Sequence, residues 1–307
     1  MKSIPMGERS ALDAAAARSF AAAARFRASE PYRALEAAFS GNAGEDVAAT
    51  VLGDADWVGA LIAPLVAALA EDPWFEPPFR VARDGLRIGT VLFENAAVSI
   101  AATVLSADAL AALPPPRTVV VPGRLTLTRY VRAGDARLRL WDAEPMGADF
   151  SSETAQPCRA VPPVGLVDGA VVRIDGRTRG HILTDARGDV VTLNATIRAA
   201  TTPYAREYAI ETGALVRLAT NDDRAARTQM LLAYLRLAQR PGAEERFAEA
   251  TRDPAFFLRW GAMREWLALD TRAALPRLRE MAAADPHAEV RAAATATLAL
   301  VAERMAA

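Results

Sequence analysis

The densest group of chemically capable side chains in this sequence is Tyr204, Arg206, Glu207, Tyr208 and Glu211. If this stretch is extended, Tyr204, Arg206 and Tyr208 share one face while Glu207 and Glu211 share the other. The first face could hold an anionic or peptide ligand through the Arg206 guanidinium, with the tyrosines as rigid amphipathic walls. A solvated edge strand would carry the same pattern. His181 and His287 are the only histidines. His181 follows Gly180 at the start of a strand and is either a turn residue or the acid or base of a pocket. His287 falls in the first turn of a helix, where a surface role is expected. Two histidines cannot build a three-histidine metal site, and a Ser-His-Asp triad would have to use one of them. Cys158 is the single cysteine, which excludes an intrachain disulfide, a thiolate zinc site and a CxxC pair, and leaves a small loop residue or an isolated thiol. No metal and no cofactor are expected, and no catalytic residue can be named.

Charge narrows the classes further. Basic and acidic side chains number 36 and 37 among 307 residues, so no net field draws nucleic acid or an anionic membrane. Lys2 is the only lysine, which is the coding habit of a GC-rich bacterial genome. A Schiff-base lysine and a phosphate-loop lysine are thereby removed, and no GxxxxGK[ST] occurs. The longest uncharged run, Trp57 to Ala70, is shorter than the roughly 20 residues that span a bilayer. No membrane segment is expected, and the lone cysteine fits a reducing, cytoplasmic setting.

The elements that must position these groups follow from periodicity. Residues 8 to about 72 read as helices. Ser10 is a candidate cap, Pro31 a break or first turn, Ser40-Gly41-Asn42 an end, and Asp72-Pro73 a stop for the buried helix 57–70. From Phe79 the period becomes that of strands: Phe79–Arg83, Leu86–Phe93, Ala97–Leu105, Thr118–Val121, Arg124–Val131 and Ala136–Trp141, with short turns between them. Residues 142–163, with Met146-Gly147 and Pro162-Pro163, read as loop. From Val164 to Thr220 more strands follow, punctuated by Asp168-Gly169, Asp175-Gly176 and Arg187-Gly188, where Asp-Gly supplies the positive φ of a tight hairpin turn. Roughly ten short strands without crossover helices indicate an antiparallel sandwich or barrel rather than a parallel sheet. After Asp223 the helical period returns, placing Met230, Leu231, Tyr234, Leu235 and Ala238 on one face before Arg240-Pro241-Gly242.

The most specific pattern is internal. Residues 253–262, DPAFFLRWGA, align without gaps on 285–294, DPHAEVRAAA, at a separation of 32. Asp-Pro starts a helix, with Asp as cap and Pro where its missing N–H costs nothing. A fixed period of this length marks stacked helical units. The segment resembles short HEAT repeats of the pattern D-P-x-x-x-V-R-x-x-A. Asp285, Pro286, Val290, Arg291 and Ala294 match it directly; Asp253, Pro254, Arg259 and Ala262 match with Leu258 in place of valine. The resemblance implies recognition of a protein partner or self-association, with Arg259 and Arg291 as partner-contacting residues or, equally, as internal braces.

The β region resembles cupin jelly rolls through its strand number, spacing and turn glycines. Metal cupins carry a cluster of histidines and a glutamate, whereas this region holds His181 alone, so the resemblance implies a metal-free binder or a barrel that uses other chemistry.

The sequence therefore reads as an α+β chain: N-terminal helices (1–78), a central antiparallel β barrel or jelly roll (79–220), and a C-terminal HEAT-like helical region (221–307). The expected function is non-catalytic binding or assembly with a protein or peptide partner, with room for a small-molecule ligand in the barrel at Tyr204, Arg206, Tyr208 and His181, and for a homo-oligomer. The alternative is a metal-independent cupin-like isomerase or hydrolase.

Overall fold

A computed structural model describes residues 6–306 apart from 42–43, 73, 78, 80, 147–149, 151, 153 and 241. Asn42, Pro73, Gly147 and Pro241, named above at turns and stops, lie outside these. The chain is α+β and forms two compact units, residues 1–150 with 155–218, and residues 151–154 with 219–307.

The first unit opens with α1 (Met6–Ala28), α2 (Glu30–Ala38), α3 (Glu45–Gly53) and α4 (Asp56–Glu71). Pro31 sits in the first turn of α2, where a missing N–H breaks no helical bond. Ser10 lies inside α1 rather than at its start, since the helix begins four residues earlier; its side chain is outside the description. Helix α3, hidden in the sequence by its shortness, buries Ala48 and Leu52.

A six-stranded antiparallel sheet follows, in the order β1 (Val81–Arg83), β2 (Arg87–Glu94), β3 (Val98–Leu105), β10 (Val190–Ile197), β5 (Leu125–Arg132), β8 (Val171–Asp175). A short helix, α5 (Ala107–Ala111), leaves β3 with Ser106 capping it. One face of this sheet packs on the helices. Val98, Ile100, Leu125, Leu127, Leu193, Ala195 and Ile197 join Phe26, Phe39, Leu52 and Leu61 in one core. Arg129, on the same face, donates from Nη1 to the carbonyls of Leu52 and Gly53 at 3.0 and 2.6 Å, placing a cation at the C-terminal end of α3 where the helix dipole favours it.

Two three-stranded sheets complete the unit: β12 (Leu215–Thr220), β11 (Tyr204–Ala209), β4 (Thr118–Val121), and β7 (Arg159–Gly165), β6 (Arg137–Asp142), β9 (Arg179–Thr184). The expected barrel is not closed. Instead three open sheets share cores, one of which joins Tyr130, Ile174 and Val190 of the large sheet to Leu138 and Leu140 of β6. The loop expected over 142–163 ends in strand β7, which carries Pro162 and Pro163. Proline lacks a ladder donor and is tolerated at a sheet edge; β7 is an edge strand, and its register with β6 shifts between Leu138 and Leu140. Strand β4 runs close to β9 at Gly180, where an added Cβ would lie 2.7 Å from the Val120 carbonyl oxygen.

The second unit contains α6 (Asp223–Leu237), α7 (Glu244–Ala250), α8 (Phe256–Leu269), α9 (Thr271–Ala284) and α10 (Ala288–Ala306). Leu232, Phe247, Leu258, Met263, Leu278, Met281 and Val290 form its core. Of the α6 face named from the sequence, Leu235 packs against the core while Met230, Leu231, Tyr234 and Ala238 are exposed; the fully buried residues are Ala225 and Leu232.

Candidate functional site

The alternation expected at Tyr204, Arg206 and Tyr208 is present, and all three are buried on one face of β11. They do not form an open ligand face. Val119, Val121, Trp141, Ala143 and Cys158 pack around Tyr208. Arg206, 3% exposed, donates from Nη1 to the Glu144 carbonyl and from Nη2 to the Arg177 carbonyl, both at 2.7 Å. Its guanidinium lies 5.8 Å from the Tyr208 ring centre and 5.9 Å from that of Phe150. A cation buried among neutral carbonyls and aromatic faces ties the β8–β9 and β6–β7 connections to β11. Burial pushes the Tyr208 phenol up, against the pull of Arg206. Burial likewise raises the Cys158 thiol, which keeps it protonated and poorly nucleophilic.

His181 belongs elsewhere. It pairs with Leu140 across β6 and β9, whose neighbours Leu138 and Leu183 belong to the apolar core with Tyr130 and Ile174. Its Nδ1 is buried without a hydrogen-bond partner, and burial lowers its pKa, so the imidazole is neutral at pH 7. The Tyr130 phenol is pushed up to about 12 by burial. His287, expected at the surface, is instead half-buried and stacked on Phe256, ring centres 3.6 Å apart.

Two further features belong to the β unit. On the large sheet, the face opposite the helices carries Ser99, Thr126, Thr128, Asn194 and Thr196, half-buried and in register. Asn194 donates to Thr128 Oγ1 at 2.8 Å and accepts from Thr196 Oγ1 at 3.1 Å. The alternation Thr-Leu-Asn-Ala-Thr-Ile in β10 was the available signal. An apolar cleft of about 520 Å³ also opens between Leu105, the α5 to Pro116 connection and Ile182–Ala186; it depends on tertiary packing and has no sequence signature.

In the helical unit, three aspartates at 31- and 32-residue spacing close the same turn. The Oδ1 atoms of Asp222, Asp253 and Asp285 accept from the backbone N–H two residues on, at 2.9 Å each. Arginines link these turns. Arg224 holds the Asp253 carboxylate with two bonds, at 2.7 and 3.2 Å. Arg259 holds Asp285 through Nε at 2.8 Å and Nη2 at 2.6 Å, while its Nη1 donates to the Asp253 and Pro254 carbonyls, both at 3.0 Å. Arg291 repeats half of this, with Nη1 donating to the Asp285 and Pro286 carbonyls at 2.6 and 3.2 Å. The structure thus places Arg259 as an internal brace, with its side chain 7% exposed against 1% for Asp285. Arg291 braces its own turn and is only half-buried. A cleft of about 580 Å³ lies between the two Asp-Pro turns, with Arg252 and Glu280 among its lining residues.

The largest exposed apolar group in this unit is on α6, where Met230, Leu231, Tyr234 and Leu237 are 72, 63, 67 and 71% exposed. Among the described residues, no group of three or more His, Cys, Asp or Glu is placed to hold a metal ion. Among the same residues, no single helix is long and apolar enough to cross a membrane.

No protein-family model matches this sequence, and a search of curated proteins returns no match. Similar solved structures include an RmlC-like cupin from Shewanella frigidimarina, at 8% identity over 40% of this chain and 86% of that one, with a TM-score of 0.26. A cupin domain from Bordetella pertussis gives 15% identity over 38% and 99%, with a TM-score of 0.23. Ectoine synthase from P. lautus gives 8% identity over 38% and 67%, again with a TM-score of 0.23. At such scores the likenesses carry no argument about function.

Proposed function

We propose that this protein is a non-catalytic binding protein whose helical unit docks an amphipathic helix of a protein partner on α6. The supporting observation is the stripe of Met230, Leu231, Tyr234 and Leu237, each more than 60% exposed. Large apolar side chains at i, i+1, i+4 and i+7 follow one side of a helix, and a contiguous exposed apolar patch is the usual mark of an interaction surface. Arg227 and Arg240 are exposed at its two ends, so the partner helix carries acidic flanks around an apolar stripe. The test incorporates a photo-crosslinking residue at position 234 of the full chain in cells that make the protein. A single protein adduct, crosslinked at an acidic-flanked amphipathic helix and lost in the double variant M230E/L237E, supports the reading. No adduct, an adduct of other chemistry, or a second copy of this chain overturns it. Because both substitutions are at exposed positions, the fold is expected to keep its melting temperature.

A second reading, a metal-independent isomerase or hydrolase in the β unit, is favoured by the unbonded and neutral His181 imidazole, a suitable general base. A base that serves substrate must be reachable, so diethyl pyrocarbonate should modify His181 in the native protein at pH 7. Complete protection until unfolding sinks that reading.

A further inference from the structure

Arg259 and Arg291 occupy the same place in the 32-residue repeat, six residues after Asp253 and Asp285. In Arg259 the guanidinium divides its work: Nη1 binds the carbonyls of its own Asp-Pro turn, and the Nε–Nη2 edge grips the aspartate of the following turn. Arg224 also holds an aspartate of the following turn, Asp253, but end-on, through Nη1 and Nη2. In Arg291 the first half is made, with Nη1 on the Asp285 and Pro286 carbonyls, but the Nε–Nη2 edge meets no carboxylate among the described residues. The guanidinium is therefore held in place by its own turn, on a half-buried residue, while the two donors of its other edge have no partner among the described residues. Such a fork matches a carboxylate with two parallel bonds. The surface beside it admits close approach, since Ala292, Ala296 and Ala299 are exposed along α10, with Leu300 at 59%.

We infer that the outer face of α10 is a docking surface for a protein helix that begins with aspartate, whose capping carboxylate completes the Arg291 fork as Asp285 completes that of Arg259. The occupant is identified by charge complementarity and by the filled example of Arg259 on Asp285. An aspartate at a helix start has one oxygen capping the N-terminal N–H groups and the other free to accept from arginine. This surface is at the opposite end of the helical unit from α6, so the inference stands or falls separately from the proposed function.

The chain supplies its own probe, an N-acetylated peptide of residues 284–303, which carries an Asp-Pro helix start. Binding to the intact protein is followed by isothermal titration with the peptide at up to millimolar concentration. Arg291→Lys keeps a cation that can reach the Asp285 and Pro286 carbonyls but lacks the fork, so affinity should fall at least about ten-fold with the melting temperature retained. Replacing the peptide's aspartate with asparagine should weaken binding to the unaltered protein by a similar factor, a result that a folding defect cannot imitate. Absence of binding overturns the inference, as does binding that is indifferent to Arg291→Lys or to the peptide aspartate. Displacement of the chain's own α10 would appear as such indifference, because that seat belongs to Arg259.

Discussion

Removing the Arg259 side chain tests the central claim about the helical unit. In Arg259→Met the Asp285 carboxylate, 1% exposed, loses both guanidinium bonds and keeps the His287 N–H. The Asp253 and Pro254 carbonyls lose their donor as well. Breaking a buried pair from one side leaves an uncompensated charge and costs about 3–5 kcal/mol. Asp285→Asn leaves the guanidinium in the same position and should cost a comparable amount. The double variant leaves neither charge, so it should fall short of the sum by about 1–3 kcal/mol. As a control, the pair Arg246–Glu249, with side chains 69 and 73% exposed, should contribute less than about 1 kcal/mol. Hydrogen exchange of amides in α8 and α9, read by mass spectrometry on the intact protein, reports the opening free energy of this unit. A loss below about 1 kcal/mol in Arg259→Met, or strictly additive singles, would refute the assignment of Arg259 as a brace.

Acid should act through the same pair. Burial raises the Asp285 carboxyl, but the Arg259 bonds and the His287 N–H outweigh it and hold the pKa below its ordinary value. The contribution is therefore complete above about pH 4 and lost as pH falls through the folded value; hydrogen exchange in α8–α10 should accelerate there, and Asp285→Asn should flatten the profile. His181 works in the same direction at higher pH. Its folded pKa is lowered by burial, so stability is complete above about 6.5 and declines below it; His181→Leu should remove that slope in urea titrations at pH 5 and 7.5. The Cys158 thiol, raised by burial, should be inert to Ellman's reagent at pH 7.5 until urea unfolds the chain, and rapid native labelling would contradict its placement. Gly180→Ala should destabilise the β unit by about 1–3 kcal/mol, because its Cβ would meet the Val120 carbonyl oxygen at 2.7 Å and Val119 Cγ2 at 2.9 Å. Gly165→Ala, with open space around it, should leave thermal unfolding unchanged.

Much of the architecture was readable because it rests on local rules. Thr118–Val121 carries its element boundaries in its own periodicity and turn residues. The 32-residue repeat marked both Asp-Pro turns and the arginine six residues on. What the sequence hid was the partner of each polar group. The alternation at Tyr204, Arg206 and Tyr208 is that of a half-buried strand, and nothing local reveals that Glu144 and Arg177 supply the carbonyls that occupy Arg206. Arg259 and Arg291 occupy the same place in the repeat, yet one is buried by a following turn and the other is not. In α6 the apolar residues outnumber what one face can bury, so the periodicity could not say which set turns inward. Strand β7 was masked by its two prolines, which only an edge position tolerates.

The arginine ladder also gives the helical unit a direction. Arg224 and Arg259 each fasten one turn to the next, so α8 has an arginine link on both sides, whereas only Arg259 of these links reaches the start of α10. Opening should therefore run inward from α10, with the shortest-lived protection in the last helix and the longest in α8, whose Leu258, Ala262 and Met263 are wholly buried. Transient release of α10 would bare the Asp285 carboxylate and the Arg259 fork together, a matched pair of opposite charges that can close again on itself or on the corresponding pair of a neighbouring chain. The contact that braces the helical unit is thus also one that any exchange of α10 between chains would have to break.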